Sequence, residues 1–231
     1  MAKFNPGVLA GEISGRLGGD VFSHNKGGPY IRRGTIPTNP QTERQMAIRE
    51  TLSIVSQTWQ SLTIRQQKAW GIWASTNPVV DRLGKKITLT GHQCFVSLNT
   101  RLLNAGDDLI FVPPAVSAPS GLITLALTAD IGAGNFQIAY TRTPLDADNR
   151  LYVQAAVLSS PGRSFVKNQL RQITITDKAA ASPLNIKGAT EAVFGELAVG
   201  QKVVVQASVL SSVTGLLSRP LSDSAIVLST H

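Results

Sequence analysis

The sequence predicts an α+β protein, in which a glycine-rich β-hairpin arm and a small helical region precede an all-β sandwich. Three observations predict this class. Residues 1–38 are rich in glycine and contain two short strand-like stretches, residues 39–106 repeat apolar side chains at helical spacing, and residues 119–231 hold seven short strand patterns separated by turn residues. The proline-containing segment 107–118 is the predicted linker between the helical domain and the sandwich.

The composition favours a folded, basic protein. Of the 231 residues, 42% are hydrophobic and 16% are charged, which excludes a disordered polyelectrolyte. The net charge is +8, and residues 1–112 hold 13 Lys/Arg against 7 Asp/Glu. A basic surface of this kind attracts nucleic acid or an acidic protein. No signal peptide and no apolar run of transmembrane length is visible, so we expect a soluble protein without a membrane partner.

The arm contains the stretch GGDVFSHNKGGPYIRRG at residues 18–34. It predicts strands from Asp20 to Ser23 and from Tyr30 to Arg33, joined by a loop whose glycines supply positive φ. Because a two-stranded hairpin is marginal alone in water, the arm should pack on the rest of the chain or on a neighbour. The predicted interface residues of the arm are three apolar anchors and three cations: Phe22, Tyr30, Ile31, Lys26, Arg32 and Arg33.

The first helix is predicted to begin with Asn39 as its N-cap and Pro40 at the first helical position. Apolar residues then recur at spacings of 4, 3, 4 and 3, which is one face of an α-helix. These residues are Ile48, Leu52, Val55, Trp59 and Leu62.

Two further helices are predicted. Thr63 and Gln66 have the spacing of a capping box, and Asn77-Pro78 ends the helix that they begin. The third helix starts at about Thr90 and stops at Gly106, a residue type favoured immediately after a helix.

Trp59, Trp70 and Trp73 are all the tryptophans of the chain, and they lie in the first two predicted helices. The helical spacing favours a small core where these helices meet, and the alternative is an exposed aromatic contact surface. On this alternative interpretation, all three tryptophans are predicted interface residues.

The sandwich is predicted from seven strands bounded by Gly, Pro, Asp, Asn and Ser. Alternation is clearest at Phe136, Ile138 and Tyr140, which should share one face. The predicted strands are 121–127, 135–142, 150–158, 170–176, 184–194, 201–210 and 222–229.

No catalytic, cofactor or metal site is predicted. His24, His92, His231 and the single Cys94 provide no metal-ligand spacing. The glycine-rich stretch has its lysine before the glycines and leads into a strand, whereas a phosphate-binding loop leads into a helix. The sequence therefore predicts a protein without enzymatic activity or cofactor.

Four segments together resemble a region that recurs in structural proteins of tailed bacteriophages and prophages. They are ISGRLGGDVFSHNKGGPYIRR, PTNPQTERQMAIR, WQSLTIRQQKAWGIWA and GHQCFVSLN, spanning roughly residues 10–105. The resemblance implies a virion protein, assembled in the host cytoplasm, and it carries no catalytic residue.

The segment FGELAVGQKVVVQASVLSSVTGLLSRPLS is similar to the penultimate strand region of fibronectin type III and immunoglobulin-like modules. Leu197 and Gly200 match that pattern, while Val203 stands where a tyrosine is usual. The resemblance implies an immunoglobulin-like sandwich.

The sequence thus favours a capsid decoration or cement protein, present in many copies or as a homo-oligomer and bound to the major capsid protein. A tail or head–tail connector component, bound to tail proteins, is the alternative. A second alternative is a basic nucleic-acid-binding accessory protein, which would combine phosphate contacts with base stacking. The residues proposed for these contacts are six cations and two aromatic residues: Arg16, Lys26, Arg32, Arg33, Arg44, Arg49, Phe22 and Tyr30. The same arginines also suit a protein interface, which is the favoured interpretation.

Overall fold

The computed structural model combines helices with antiparallel sheets, so the predicted mixed α+β class is confirmed. The chain divides into two compact units, Met1–Met46 and Ala47–His231. The structure describes residues 2–3, 13–25, 28–80, 86–115, 117–132, 134–143, 145–163, 166 and 168–229.

The first unit contains one antiparallel sheet of four strands in the order β1-β4-β3-β2, called the N-terminal sheet below. Gly18, at φ 58°, turns the chain between the second and third strands, and the N–H of Gly34 donates to the carbonyl of Gly19 at 2.7 Å. The strands are β1 (Ala2–Lys3), β2 (Gly15–Leu17), β3 (Asp20–Asn25) and β4 (Gly28–Arg33).

Three helices follow: α1 (Glu43–Ser61), α2 (Ile64–Thr76) and α3 (Gly91–Asn104). The capping box predicted at Thr63 is confirmed: its side chain accepts from the backbone of Gln66, whose side chain accepts in return from the backbone of Thr63. Thr90 caps α3 in the same way. Two short strands, β5 (Val79–Val80) and β6 (Lys86–Ile87), pair between α2 and α3.

The start predicted for the first helix was wrong. Gln41 has a positive φ of 48°, so the backbone is not helical between Asn39 and Glu43. The side chain of Thr42 instead accepts the N–H of Gln45 at 3.4 Å, which places the N-cap three residues after the predicted one. Pro40 accordingly precedes the helix instead of lying in its first turn.

The helices enclose a small aromatic core. Trp70 is fully buried and meets the Phe95 ring edge-on, with centroids 5.4 Å apart. Burial also raises the pKa of the Cys94 thiol. At Gly91 a Cβ would lie 2.7 Å from the Gly71 nitrogen, so the close approach of α2 and α3 requires glycine there.

The remaining strands form two antiparallel sheets, called the two-sheet module below. One has the order β10-β9-β12-β13 and the other β11-β8-β7. Phe136, Ile138 and Tyr140 are all buried in the core that the sheets share, as the alternation predicted. The elements are β7 (Leu125–Asp130), β8 (Asn135–Tyr140), β9 (Asn149–Leu158), β10 (Arg171–Ile175), β11 (Leu184–Asn185), α4 (Lys187–Phe194), β12 (Lys202–Ser211) and β13 (Leu221–Ile226).

Hydrogen bonds join the two sheets along one side. The N–H of Leu127 in β7 donates to a carboxylate oxygen of Asp223 in β13 at 2.8 Å. Just after β13, the N–H of Leu228 donates to the Ala129 carbonyl at 2.8 Å. The neighbouring edges of the two sheets are therefore tied to each other in the described chain.

One predicted strand, 184–194, was wrong over most of its length. Only Leu184–Asn185 pairs as a strand, and α4 then runs to Phe194. Buried Ile186 and Thr190 and partly buried Phe194 are four residues apart, so helical geometry brings all three onto one face. Two other strands are displaced: 121–127 is found at Leu125–Asp130 and 222–229 at Leu221–Ile226.

The segment predicted as a linker, 107–118, is bonded to the helices. The amide side chain of Asn99 accepts from the N–H of Ile110 at 2.7 Å and donates to its carbonyl at 3.1 Å. The indole N–H of Trp70 donates to the Phe111 carbonyl at 3.1 Å. The helical core and the two-sheet module accordingly belong to one compact unit, Ala47–His231, although the sequence predicted a domain boundary between them.

Candidate interaction surface

Strand pairing gives the N-terminal sheet an apolar face. Phe22 in β3 lies opposite Ile31 in β4, and side chains of directly paired residues share a face. Leu17 in β2 pairs with Asp20, two residues before Phe22, and so lies on the same side. Leu17 is 74% exposed, and Phe22 and Ile31 are half-buried. These three side chains are called the apolar face below, and Arg33, opposite Asp20, lies at its margin.

The opposite side of the same sheet is basic. Arg16 pairs with Val21, which pairs in turn with Arg32, so both guanidinium-bearing side chains lie on one face. Tyr30, opposite Ser23, is on this side as well. Arg16 is held over the turn by a bond from its Nε to the Gly18 carbonyl at 3.2 Å. Arg16, Tyr30 and Arg32 are called the basic face below.

The sheet therefore separates residues that the sequence grouped together. Phe22, Tyr30 and Ile31 were predicted as anchors of one apolar contact, but Tyr30 and Ile31 are neighbours in β4 and point to opposite sides. Lys26, predicted as a contact at the tip of the hairpin, lies outside the described residues.

The described part of the first unit lacks a core. Between residues 13 and 46, outside 25–27, no residue whose burial the structure describes is buried. A small sheet gains independent stability by covering one of its faces with apolar side chains. Here Leu17 and the half-buried side chains of both faces remain accessible to a partner.

The tryptophans belong mainly to the helical core. The interface prediction for Trp70 was wrong, because this side chain has no exposed surface. Trp59 and Trp73 are half-buried and pack against the same core, Trp59 with its ring centroid 5.3 Å from that of Phe95. The indole of Trp73 donates to the Pro114 carbonyl at 3.0 Å.

The helical region presents a surface that the sequence did not reveal. On α2, Ile64 is 72% exposed and Ile72 is 68% exposed, with Lys68 midway between them on the same face. Arg65 and Ala69 complete the lining of a shallow depression there. Helical spacing alone does not separate an outward apolar side chain from a core residue, since Ile64 fits either pattern.

The described residues contain neither a metal-ligand cluster nor a membrane-spanning helix. No group of three or more His, Cys, Asp or Glu side chains there could hold a metal ion. None of the helices there is long and apolar enough to cross a membrane.

Comparison of the chain with protein-family models, curated proteins and solved structures finds no match.

Proposed function

We propose that the chain is a non-enzymatic structural protein of a tailed-bacteriophage virion, and specifically a capsid decoration or cement protein. The observation that carries the proposal is the N-terminal sheet: both of its faces hold partly exposed side chains, and outside 25–27 no described residue from 13 to 46 is buried. A sheet of this kind is stabilised when a partner covers it, which suits a segment that docks during assembly. The resemblance of residues 10–105 to phage structural proteins supports the same assignment.

Docking would use the apolar face of the N-terminal sheet. Phe22 and Ile31 supply the compact apolar anchors that dominate protein interfaces, and Arg33 lies beside them as a charged contact. Each contact is small, so strong attachment would require neighbouring copies on the symmetric shell to contact one another as well. The major capsid protein is the proposed partner, within particles assembled in the host cytoplasm.

The two-sheet module would project from the shell as an immunoglobulin- or fibronectin type III-like domain. Two antiparallel sheets around one core support this assignment. Val203, where such modules usually carry a tyrosine, is fully buried in that core.

Removing residues 1–38 is expected to abolish attachment to capsids and leave the second unit folded. Particles lacking the protein are mixed with the full or truncated chain, sedimented, and the bound copies quantified on gels. The deletion leaves the Thr42 cap of α1 intact, so the melting temperature of the second unit should be unchanged. Full binding by the truncated chain would contradict the proposal.

Single substitutions then separate the two faces of the sheet. Phe22→Ala should weaken attachment by about 30-fold, the loss typical of an interface hot spot. Tyr30→Ala should weaken it less, because Tyr30 lies on the basic face. Exposed Thr38→Ala is the control. If Phe22→Ala lowered the melting temperature of the free chain enough to account for the lost attachment, the residue would be a core position and the docking role would be wrong.

Copy number in purified particles distinguishes decoration from the alternative in the tail or connector. A decoration protein is present in numbers close to those of the major capsid protein, whereas a connector or tail component is present in few copies. Absence from the particle would overturn the virion proposal itself.

The basic face favours one other candidate function, nucleic-acid binding. Two arginines beside an accessible tyrosine can combine phosphate contacts with base stacking. The affinity of such binding would fall steeply as the salt concentration rises. Arg32→Gln would lower the slope of log affinity against log salt concentration by the amount expected for about one phosphate contact. Attachment through the apolar face would instead change little with salt. Fluorescence anisotropy with a labelled oligonucleotide at several salt concentrations separates the two.

A further inference from the structure

The two-sheet module contains a polar cleft of about 540 Å³ between the end of β9, the start of β10 and the end of α4. Val157 and Val193 give its lining an apolar part, and Phe194 adds an aromatic ring. The guanidinium carbon of Arg171 lies 5.8 Å from the centroid of that ring, a cation–π contact that fixes the cation at the cleft. The volume is in the range of small-ligand sites.

The cleft is positively charged. Arg163 and Arg171 line it, and no residue of its described lining is acidic. Neither arginine forms an ion pair with any described residue. The ammonium group of Lys202 lies close by, 3.5 Å from the Arg163 carbonyl. The arrangement suits an anion, because guanidinium groups without a carboxylate partner are available for bidentate contacts.

Side-chain amides supply hydrogen bonds for a hydroxyl-rich ligand. Asn168, Gln169 and Gln201 line the cleft, and each amide can donate and accept. The side-chain oxygen Oε1 of Gln201 accepts the N–H of Ala198 at 3.0 Å, which positions that side chain and leaves its NH₂ group to donate. Asn168 and Gln169 make no side-chain hydrogen bond to another described residue.

We propose that this cleft binds an acidic sugar unit of a polysaccharide. Arg163 and Arg171 would hold the carboxylate, the amides of Gln169 and Gln201 would bind ring hydroxyls, and the apolar part of the lining would cover the C–H face of the ring. An inorganic anion would use only the cations, and a neutral sugar only the amides. Because the cleft holds both cations and side-chain amides, it favours a ligand that carries both a negative charge and hydroxyl groups. The site belongs to the two-sheet module and does not depend on docking by the N-terminal sheet.

Sodium glucuronate is the probe, titrated into the ¹⁵N-labelled full chain and followed by amide chemical shifts. We expect saturable shifts at Gln169, Phe194 and Gln201. Glucose, matched in size but neutral, and acetate, matched in charge but without hydroxyls, should each bind at least about tenfold more weakly. Equal affinity for acetate or for glucose would overturn the proposal, as would the absence of saturable shifts in the cleft.

Variants test the same assignment. Arg171→Gln should weaken glucuronate binding by about tenfold or more, because a charge-assisted contact is lost. Gln169→Ala should weaken glucuronate but not acetate. Arg65→Gln, which removes an exposed cation on α2, is the matched control and should leave the affinity unchanged. If Arg65→Gln had the same effect as Arg171→Gln, binding would reflect net charge alone and the site would be wrong. The melting temperature of each variant shows that its fold is intact.

Discussion

Replacing Asp107 by alanine is expected to lower the free energy of unfolding of the second unit by about 3–5 kcal/mol. Nε and Nη2 of Arg150 donate to the two carboxylate oxygens of Asp107, both at 2.9 Å. The side chains are 6% exposed at Asp107 and 13% at Arg150. The hydrogen bond to Asp107, the main cause, raises the pKa of Arg150 above its usual value. Alanine would therefore leave a charged, largely buried guanidinium with only the exposed carboxylate of Asp177, 3.9 Å from Nη1, as its ion-pair partner.

Thermal unfolding measures this effect. A loss of that size corresponds to a fall in melting temperature of about 6–20 °C for a unit of this length. Asp108→Ala, at the exposed neighbouring position, is the control and should change little. The double variant Asp107→Ala with Arg150→Met should recover part of the loss, because it removes the unpaired charge too. Equal melting temperatures for the two alanine variants would show that the ion pair contributes nothing.

Gly215→Ala should destabilise the same unit by about 2–5 kcal/mol. Its φ is 70°, a left-handed conformation that strains any residue with a Cβ. The new Cβ would also lie 2.6 Å from the Leu98 carbonyl oxygen and 3.2 Å from Cγ of Leu102. Both atoms belong to α3, whose packed backbone cannot move aside easily.

Gly200→Ala is the matched control for Gly215→Ala. Gly200 has a φ of 87°, but a Cβ there would meet no atom within 4 Å. It should show the conformational strain alone, about 1–2 kcal/mol. Denaturant unfolding of both variants isolates the steric part as the difference. If both variants lost the same stability, the contact between Gly215 and α3 would be unimportant.

Local signals in the sequence predicted the helices best where a cap was present. Thr63 with Gln66 fixed the start of α2, because the cap depends only on residues three apart. Asn39 and Pro40 formed an equally favourable local pattern, but the backbone stays non-helical until Thr42 provides the cap. Two competing caps within four residues are not separable by local preference alone.

Longer-range packing explains the larger errors. Residues 184–194 contain Ile186 and Phe194, which fit either a strand or a helix, and burial against the two sheets selects the helix. The segment 107–118 carries the prolines of a linker, yet its carbonyls accept hydrogen bonds from Trp70, which is 41 residues from Phe111, and from Asn99 in the preceding helix α3. A pattern read from neighbouring residues does not reveal contacts of this kind.

The candidate surfaces were predictable to different degrees. The hairpin pattern placed Phe22 and Ile31 in the paired strands, but assigning side chains to the two faces of the sheet requires the strand register, which places Tyr30 opposite Ser23. The polar cleft was not predicted, because Arg163, Arg171 and Gln201 come together only when β9, β10 and β12 have paired and packed with α4.

The closing of the helical core by residues 215–216 has a consequence for synthesis on the ribosome. Leu216 packs against that core, and Nη1 of Arg101 donates to the Gly215 carbonyl at 3.3 Å. These residues are made roughly 110 positions after α3 ends, which at about 5–20 residues per second takes about 5–20 seconds. Throughout that interval the nascent helices keep an uncovered apolar side. Chaperones that bind such surfaces would therefore act on this chain before the last strands of the two-sheet module emerge.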